Sequence, residues 1–361
     1  MAGAGVYTYQ LVRALANAPG THRLAIFARP GLFDDLAEQH ENVHVVHVEP
    51  ASRGGRLAWE QAVLPLLLRR MRIDVLHSPH HHTPVAAIGV RRVVTFHDVT
   101  FLLLPERYPL ARRLYMESVT RAAARIARAV ITPSQTVREE VVRRLGVPQE
   151  RVVTVYEAAA PQYTSASSDD IGRARWKYHL PNEYLLSVGS LEPGKNRPRL
   201  IRAYARLRER GLESPLVIVG QPAWQYEAEY ELVARLGLSE HVKFLGYVPD
   251  EDLPALYSGA TVFVFPSLYE GFGLPLLEAM ACGAPVITSQ GSATQEVAGD
   301  AALLIDPRDT DAIERAIDQL ISNRWLRSDL RTRGLEQAKK FSWERAARDT
   351  LAVYQIVAAQ R

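Results

Sequence analysis

Short apolar, β-branched runs recur along this chain, and nearly every one is followed by a stretch with helical spacing. That alternation constrains the fold more than any single motif. Residues 24–28, 43–48, 73–77, 93–97, 129–132 and 152–156 read as strands, with helical patterns at 56–70, 110–127 and 136–145 among them. A polar run at 163–170 reads as a linker. A second series of strands follows at 184–188, 216–219, 242–245, 262–265, 285–288 and 302–305. Strand and helix in regular turn is the pattern of parallel α/β sheets, so two such units joined by a linker are expected. The boundaries fall at 1–164 and 165–344, and the cleft between two such units is the default ligand site. A last helical stretch, with Ser342 as its N-cap, is expected to return to the first domain over 345–361.

Composition removes several alternatives. A length of 361 residues suits two domains, and 23% charged residues is ordinary for a globular protein. No apolar run reaches the roughly 18 residues that would span a bilayer, and no charged-then-apolar signal segment opens the chain. The one cysteine, Cys282, excludes an internal disulfide and fits a reducing compartment. It reads as a small core residue. A cytoplasmic location follows. Charge is uneven: residues 1–164 hold 20 Arg, no Lys and 14 acids, whereas the remainder is net acidic. Clusters such as Arg69-Arg70, Arg112-Arg113 and Arg143-Arg144 permit contact with an anionic acceptor, or peripheral contact with an anionic membrane at the inner surface. Nucleic acid is disfavoured, since the basic clusters lack interleaved aromatics.

The densest chemical signal is Glu270-Gly271-Phe272-Gly273-Leu274-Pro275, continuing to Glu278. It follows the apolar strand at 262–265, so Glu270 lies just past a strand's carboxyl end, where open α/β sheets bind ligands. Pro275 suits a first helical turn. The amides of Gly271, Phe272, Gly273 and Leu274 would then donate at a helix N-terminus, a seat for an anion. Two carboxylates beside an anion seat suit sugar hydroxyls. The combination points to a phosphorylated sugar.

The start of the chain carries Gly3-Ala4-Gly5, which reads as a glycine turn opening a helix at 7–16. In a nucleotide-binding unit such a turn follows a strand, so residues upstream of Met1 are expected in the native gene product.

These segments together resemble the large retaining glycosyltransferase family numbered four, with the GT-B architecture. The residues that carry the resemblance are Pro266-Ser-Leu-Tyr-Glu270 through Glu278-Ala-Met-Ala-Cys-Gly-Ala-Pro-Val286, Gly189-Ser-Leu-Glu-Pro-Gly-Lys-Asn196, Val217-Ile-Val-Gly220, Phe244-Leu-Gly-Tyr-Val-Pro-Asp250, Thr95-Phe-His-Asp98 and the glycine loop from Gly3 to Tyr7. The resemblance implies a nucleotide-diphosphate sugar as co-substrate, GDP-mannose by the general family pattern, with a glycan or lipid-linked acceptor and no metal or other cofactor. It implies that Glu270 holds the transferred sugar, Glu278 the ribose, and Lys195 with Gly3 and Gly5 the diphosphate, with Ser190 also in the donor site. Gly220, Tyr247, Val248 and Leu253 would border the base, and His97 would face the reacting sugar beside Tyr7, His80 and Asp98 on the acceptor side. Gly194 stands where the family often has arginine, which removes a cation. Arg197 or Arg199 is the candidate replacement.

Two further patterns suggest metals. His80-His81-His82 cannot all point one way on a regular backbone, so an acceptor-side loop is expected. Asp250-Glu-Asp252 is expected to cap a helix. Other readings of the same architecture are a sugar-phosphate phosphorylase, a nucleotide-sugar epimerase, or an inactive nucleotide-sugar-binding relative.

Overall fold

The computed structural model describes residues 3–49, 52–224 and 226–360. They form two compact units: one runs through Glu157 and resumes at Ser342, and the other is Ala158–Phe341. The division falls before the polar run rather than within it. Tyr163 is buried against Tyr257, and the Ala166 N–H donates to Ser258 Oγ, so the start of that run already belongs to the second unit. Its end is helical, with Ser167 capping the helix Ser168–Lys177.

The first unit holds β1 (Leu24–Ala28), β2 (Val43–His47), β3 (Val75–Ser78), β4 (Arg91–Thr95), β5 (Ala129–Thr132) and β6 (Val152–Thr154). All pairings are parallel, in two sheets: β1-β2 and β3-β4-β5-β6. A cavity of about 930 Å³ is lined by residues of both β1 and β3, including Ile26, Phe27, Val75 and Leu76, and by Leu11 and Leu351 from the covering helices. The larger core of this unit packs Val94, Phe96 and Val130 against Val137 and Val141. The helix expected at 56–70 is two helices, Arg53–Ala62 and Leu64–Arg70, with Pro65 in the first turn of the second. The final helix Trp343–Ala359, capped by Ser342 Oγ, packs on the helix Gly3–Asn17 and on β3 and β4. Gly3 and Gly5 lie inside that first helix, not in a turn before it. Right-handed helical angles are open to glycine, though less favourable for it than for alanine, and the helix extends through both.

The second unit holds β7 (Leu185–Val188), β8 (Leu216–Val219), β9 (Val242–Gly246), β10 (Val262–Phe265), β11 (Val286–Ser289) and β12 (Leu303–Ile305) in one parallel sheet of order β12-β11-β10-β7-β8-β9. Strands β7, β8, β10 and β11 are buried along their whole length, which is why they read as unbroken apolar runs. The order reverses between β7 and β10. The loops that leave these neighbouring strands diverge to opposite faces and leave a crevice at their carboxyl ends.

Candidate active site

The switch point of the second unit gathers the predicted donor residues. Gly189 and Ser190 follow β7, and Lys195 closes a short 3-10 turn, Pro193–Lys195. The carbonyl of Gly194 accepts from the Leu268 N–H at 2.9 Å, which ties that turn to the loop after β10. Lys195 Nζ then reaches Glu270 Oε1 at 2.7 Å and lies 5.4 Å from the centre of the Phe265 ring. Both partners are largely shielded from solvent. Gly273 stands at the N-cap of the helix Leu274–Ala281 with φ 98°, a conformation glycine supplies, and Pro275 is in the first turn. Phe272 is buried against Phe341 and fixes this loop from beneath.

Glu278 lies one turn into that helix and is buried. Burial pushes its carboxyl up to about 7, against the lowering effect of the Tyr257 hydroxyl, which donates to Oε2 at 3.0 Å; Asp250 raises it further. Gly220, at the end of β8, passes so close to the first loop that a β-carbon there would stand 1.8 Å from the Gly189 carbonyl oxygen. Beyond β9, Tyr247 is exposed, whereas Val248 and Leu253 are buried. Tyr247 alone of these three presents a side chain to solvent.

Asn196, the last residue of the motif that begins at Gly189, has a part that the motif did not disclose. It takes φ 57° and is buried; its Nδ2 donates to the carbonyls of Pro266 and Pro307 at 2.9 and 2.6 Å. It thus clasps the loops after β7, β10 and β12. Its position beside Lys195 was the available signal, since asparagine is the side chain that best tolerates left-handed backbone while bonding locally.

In the first unit His97 follows β4 and is mostly buried. Its Nε2 meets the Pro79 carbonyl at 3.0 Å and its Nδ1 meets Glu157 Oε1 at 3.4 Å. Both neighbours only accept, so the doubly protonated ring suits the site. Burial alone would lower the His97 pKa; Glu157 and the Pro79 carbonyl outweigh it and raise it. Glu157, buried at the end of this unit, is a second residue that the sequence left unmarked. Tyr7 is a core residue here, not an exposed acceptor contact: its hydroxyl pairs with Thr95 Oγ1 at 3.0 Å and its ring meets His97 edge-on at 4.8 Å. Thr95 also bonds His77 Nε2, whose Nδ1 pairs with the Tyr354 hydroxyl at 2.6 Å. Burial lowers His77 to about 3, so it stays neutral. Asp98 turns back on its own chain and accepts from the Thr100 N–H and hydroxyl at 2.8 and 2.6 Å.

The three consecutive histidines diverge. His80 is exposed, with its ring centre 6.1 Å from that of His97; His81 is buried and stacks on Phe96; His82 pairs with Glu60 at 3.2 Å. Among the described residues no three His, Cys, Asp or Glu side chains stand close enough to hold a metal ion. Asp252 is the N-cap of the helix Leu253–Gly259 by position only: its carboxylate makes no cap bond and instead accepts from Lys177 and Tyr178 at 2.6 and 2.5 Å. A direct ammonium and phenol outcompete the helix amides. Cys282 is buried in the core. Arg143 and Arg144 both close on Glu140, while Arg112 lies over the Tyr108 ring. Among the described residues no helix is long and apolar enough to cross a membrane.

Two parallel α/β units, the second carrying a carboxylate pair and a lysine at its switch point, define a glycosyltransferase of GT-B architecture. The Glycosyl transferases group 1 family matches residues 170–340, and Glycosyltransferase Family 4 matches residues 1–161. The chain is 35% identical to O-antigen chain mannosyltransferase B of Escherichia coli, across 99% of this chain and 97% of that protein. Its fold is that of Anabaena Alr3699/HepE in complex with UDP-glucose (TM-score 0.79, 21% identity, 98% and 96% of the two chains). It is likewise that of WaaG, a glycosyltransferase involved in lipopolysaccharide biosynthesis (TM-score 0.75, 16% identity, 100% and 97%). The chain belongs to glycosyltransferase family 4.

Proposed function

We propose that this chain transfers mannose from GDP-mannose, with retention of anomeric configuration, to a glycan or lipid-linked acceptor in cell-surface polysaccharide synthesis. The carrying observation is the Lys195–Glu270 pair at the switch point with Glu278 buried in the helix that follows, read beside the 35% identity to an O-antigen mannosyltransferase. The second unit takes the donor. Glu278 accepts hydrogen bonds from the ribose hydroxyls, which donate best to the ionised carboxylate. Lys195 exchanges its Glu270 partner for the diphosphate, and Glu270 is released to the mannose hydroxyls. That exchange makes the free site electrically neutral and the loaded site complementary to an anion.

The C1–O bond to the phosphate breaks, and the diphosphate departs with the bonding pair. The acceptor hydroxyl oxygen attacks the same face, and its proton passes to the departing phosphate oxygen. No protein nucleophile is required, and no metal is called on. The first unit takes the acceptor, with exposed His80 as the contact nearest His97. Since both His97 nitrogens face acceptors, His97 acts here as a fixed cation that holds the Pro79–His80 loop, not as a base. Peripheral contact with an anionic bilayer through this unit would fit a lipid-linked acceptor.

Thermal shift against a panel of nucleotide sugars tests the donor; stabilisation by GDP-mannose over UDP- and ADP-sugars is expected. NMR of the product anomeric centre tests retention, and a β-mannoside product would overturn it.

A further inference from the structure

Gly194 offers no side chain to the diphosphate, and Lys195 is engaged by Glu270 in the free site. Two arginines follow. Arg199 Nη1 donates to Asn196 Oδ1 at 2.9 Å and so serves the loop clasp. Arg197 is different. It has no exposed surface, yet its guanidinium turns back beneath the loop after β7, with Nη1 2.8 Å from the Ser190 carbonyl and Nη2 2.5 Å from the Gly189 carbonyl. A β-carbon at Gly189 would stand 3.5 Å from Nη2 and 3.3 Å from Lys195 Cε, so the two cations flank one glycine. Its counterion, Glu229, lies 3.8 Å from Nη1 and is also buried.

The loop is held from its other side too. The Gly189 N–H donates to Val219 and the Leu191 N–H to Gln221, each at 2.9 Å, and Gly220 leaves no room for a side chain against the Gly189 carbonyl. In a trans peptide the N–H points opposite to the C=O. With the Gly189 carbonyl turned down onto Arg197, the Ser190 N–H of the same peptide points up, out of the core, on the exposed residue Ser190. A cation beneath the carbonyl polarises that peptide and strengthens its outward donor.

We propose that Arg197 is the second cation of the diphosphate subsite, a positioning residue that acts through the Gly189–Ser190 peptide and takes over from the arginine absent at 194. The proposal rests on the donor reading of the second unit. Arg197 never touches the ligand; its charge reaches the diphosphate through an aligned peptide dipole and through the fixed place it gives Ser190.

The test is the affinity for GDP against that for GMP, measured by titration calorimetry on the full chain, with UDP and UMP as a second pair. R197M alone would strand the Glu229 charge in the core, so R197M/E229M is the main variant. Loss of about tenfold or more in GDP affinity, with GMP held within about threefold, is expected, because only the diphosphate feels the missing cation. R197K, which keeps the charge but cannot fork both carbonyls, should fall between. An unchanged GDP-to-GMP preference overturns the proposal, and so does an equal loss for both nucleotides, which would mean that Arg197 only props the loop. Should the double variant fail to fold, R197K decides: a preference equal to wild type sinks the idea and a reduced one supports it. A wild-type chain that binds neither GDP nor UDP instead removes the donor reading on which the proposal stands.

Discussion

The two glutamates of the second unit are set apart by their surroundings. Glu270 meets an ammonium at 2.7 Å, while Glu278 meets a phenol in a buried pocket that pushes its pKa to about 7 from an ordinary value near 4.5. A raised pKa means that the folded protein holds this proton more tightly than the unfolded chain does. The stability it confers is therefore full below about pH 4.5 and is lost as pH rises towards 7, a change of up to roughly 3 kcal/mol. Donor binding has the opposite sign, since ribose hydroxyls need the carboxylate: GDP affinity should rise from pH 5 through pH 7 and level off towards pH 8. Glu278→Gln should flatten both trends, seen by thermal melts and titration calorimetry across pH 5–8. A wild-type affinity independent of pH in that window would remove Glu278 from the ribose. Lys195→Ala should cut kcat/KM by about 10²–10³ and lower the melting temperature, because Glu270, largely shielded from solvent, loses its counterion. Wild-type activity in that variant would end the phosphate assignment.

At the level of elements, the site depends on loops being tied to one another more than on any helix end. Asn196 joins three of them, and its replacement by alanine leaves the buried Pro266 and Pro307 carbonyls without that donor and sets alanine in a left-handed backbone that asparagine tolerates better. A loss of about 2–4 kcal/mol is expected by chemical denaturation, with Asn196→Gly less damaging because it relieves the backbone term. Equal losses for the two would show that only the side-chain bonds matter. The same elements show what a sequence can disclose. Strands β1, β5, β8 and β10 were legible to the residue, because a fully or half-buried parallel strand is an unbroken apolar run bounded by polar turns. The places of Lys195 after β7 and of Glu270 and Glu278 after β10 were legible through their spacing. Glu157, the part of Asn196 and the direction of Arg197 were not, since each residue acts through a partner at least seven residues away that only the folded chain brings near. Tyr7 misled for the converse reason: a polar residue next to a motif reads as a ligand contact until it is seen buried with its hydroxyl bonded inside its own unit.

At the level of the whole chain, the last helix belongs to the fold of the first unit although the second unit precedes it. Tyr354 bonds His77, Trp343 sits 6.1 Å from Tyr7, and Tyr7 in turn braces His97. Removing residues 342–361 therefore strips a buried face from the helix Gly3–Asn17 and from β3 and β4, while the six-stranded sheet of the second unit keeps all its strands and its site. The two units fill their cores from different parts of the sequence, so the truncated chain should melt in two separated steps. The earlier step should be insensitive to nucleotide, and the later step should shift upward with GDP as it does in the intact protein. Hydrogen exchange would place the early step: amides of residues 3–17 and of β3 and β4 should lose protection, and those of β7 and β10 should keep it. Loss of the GDP-dependent shift on truncation would mean instead that the final helix is needed for the donor site, and that the second unit does not hold nucleotide by itself.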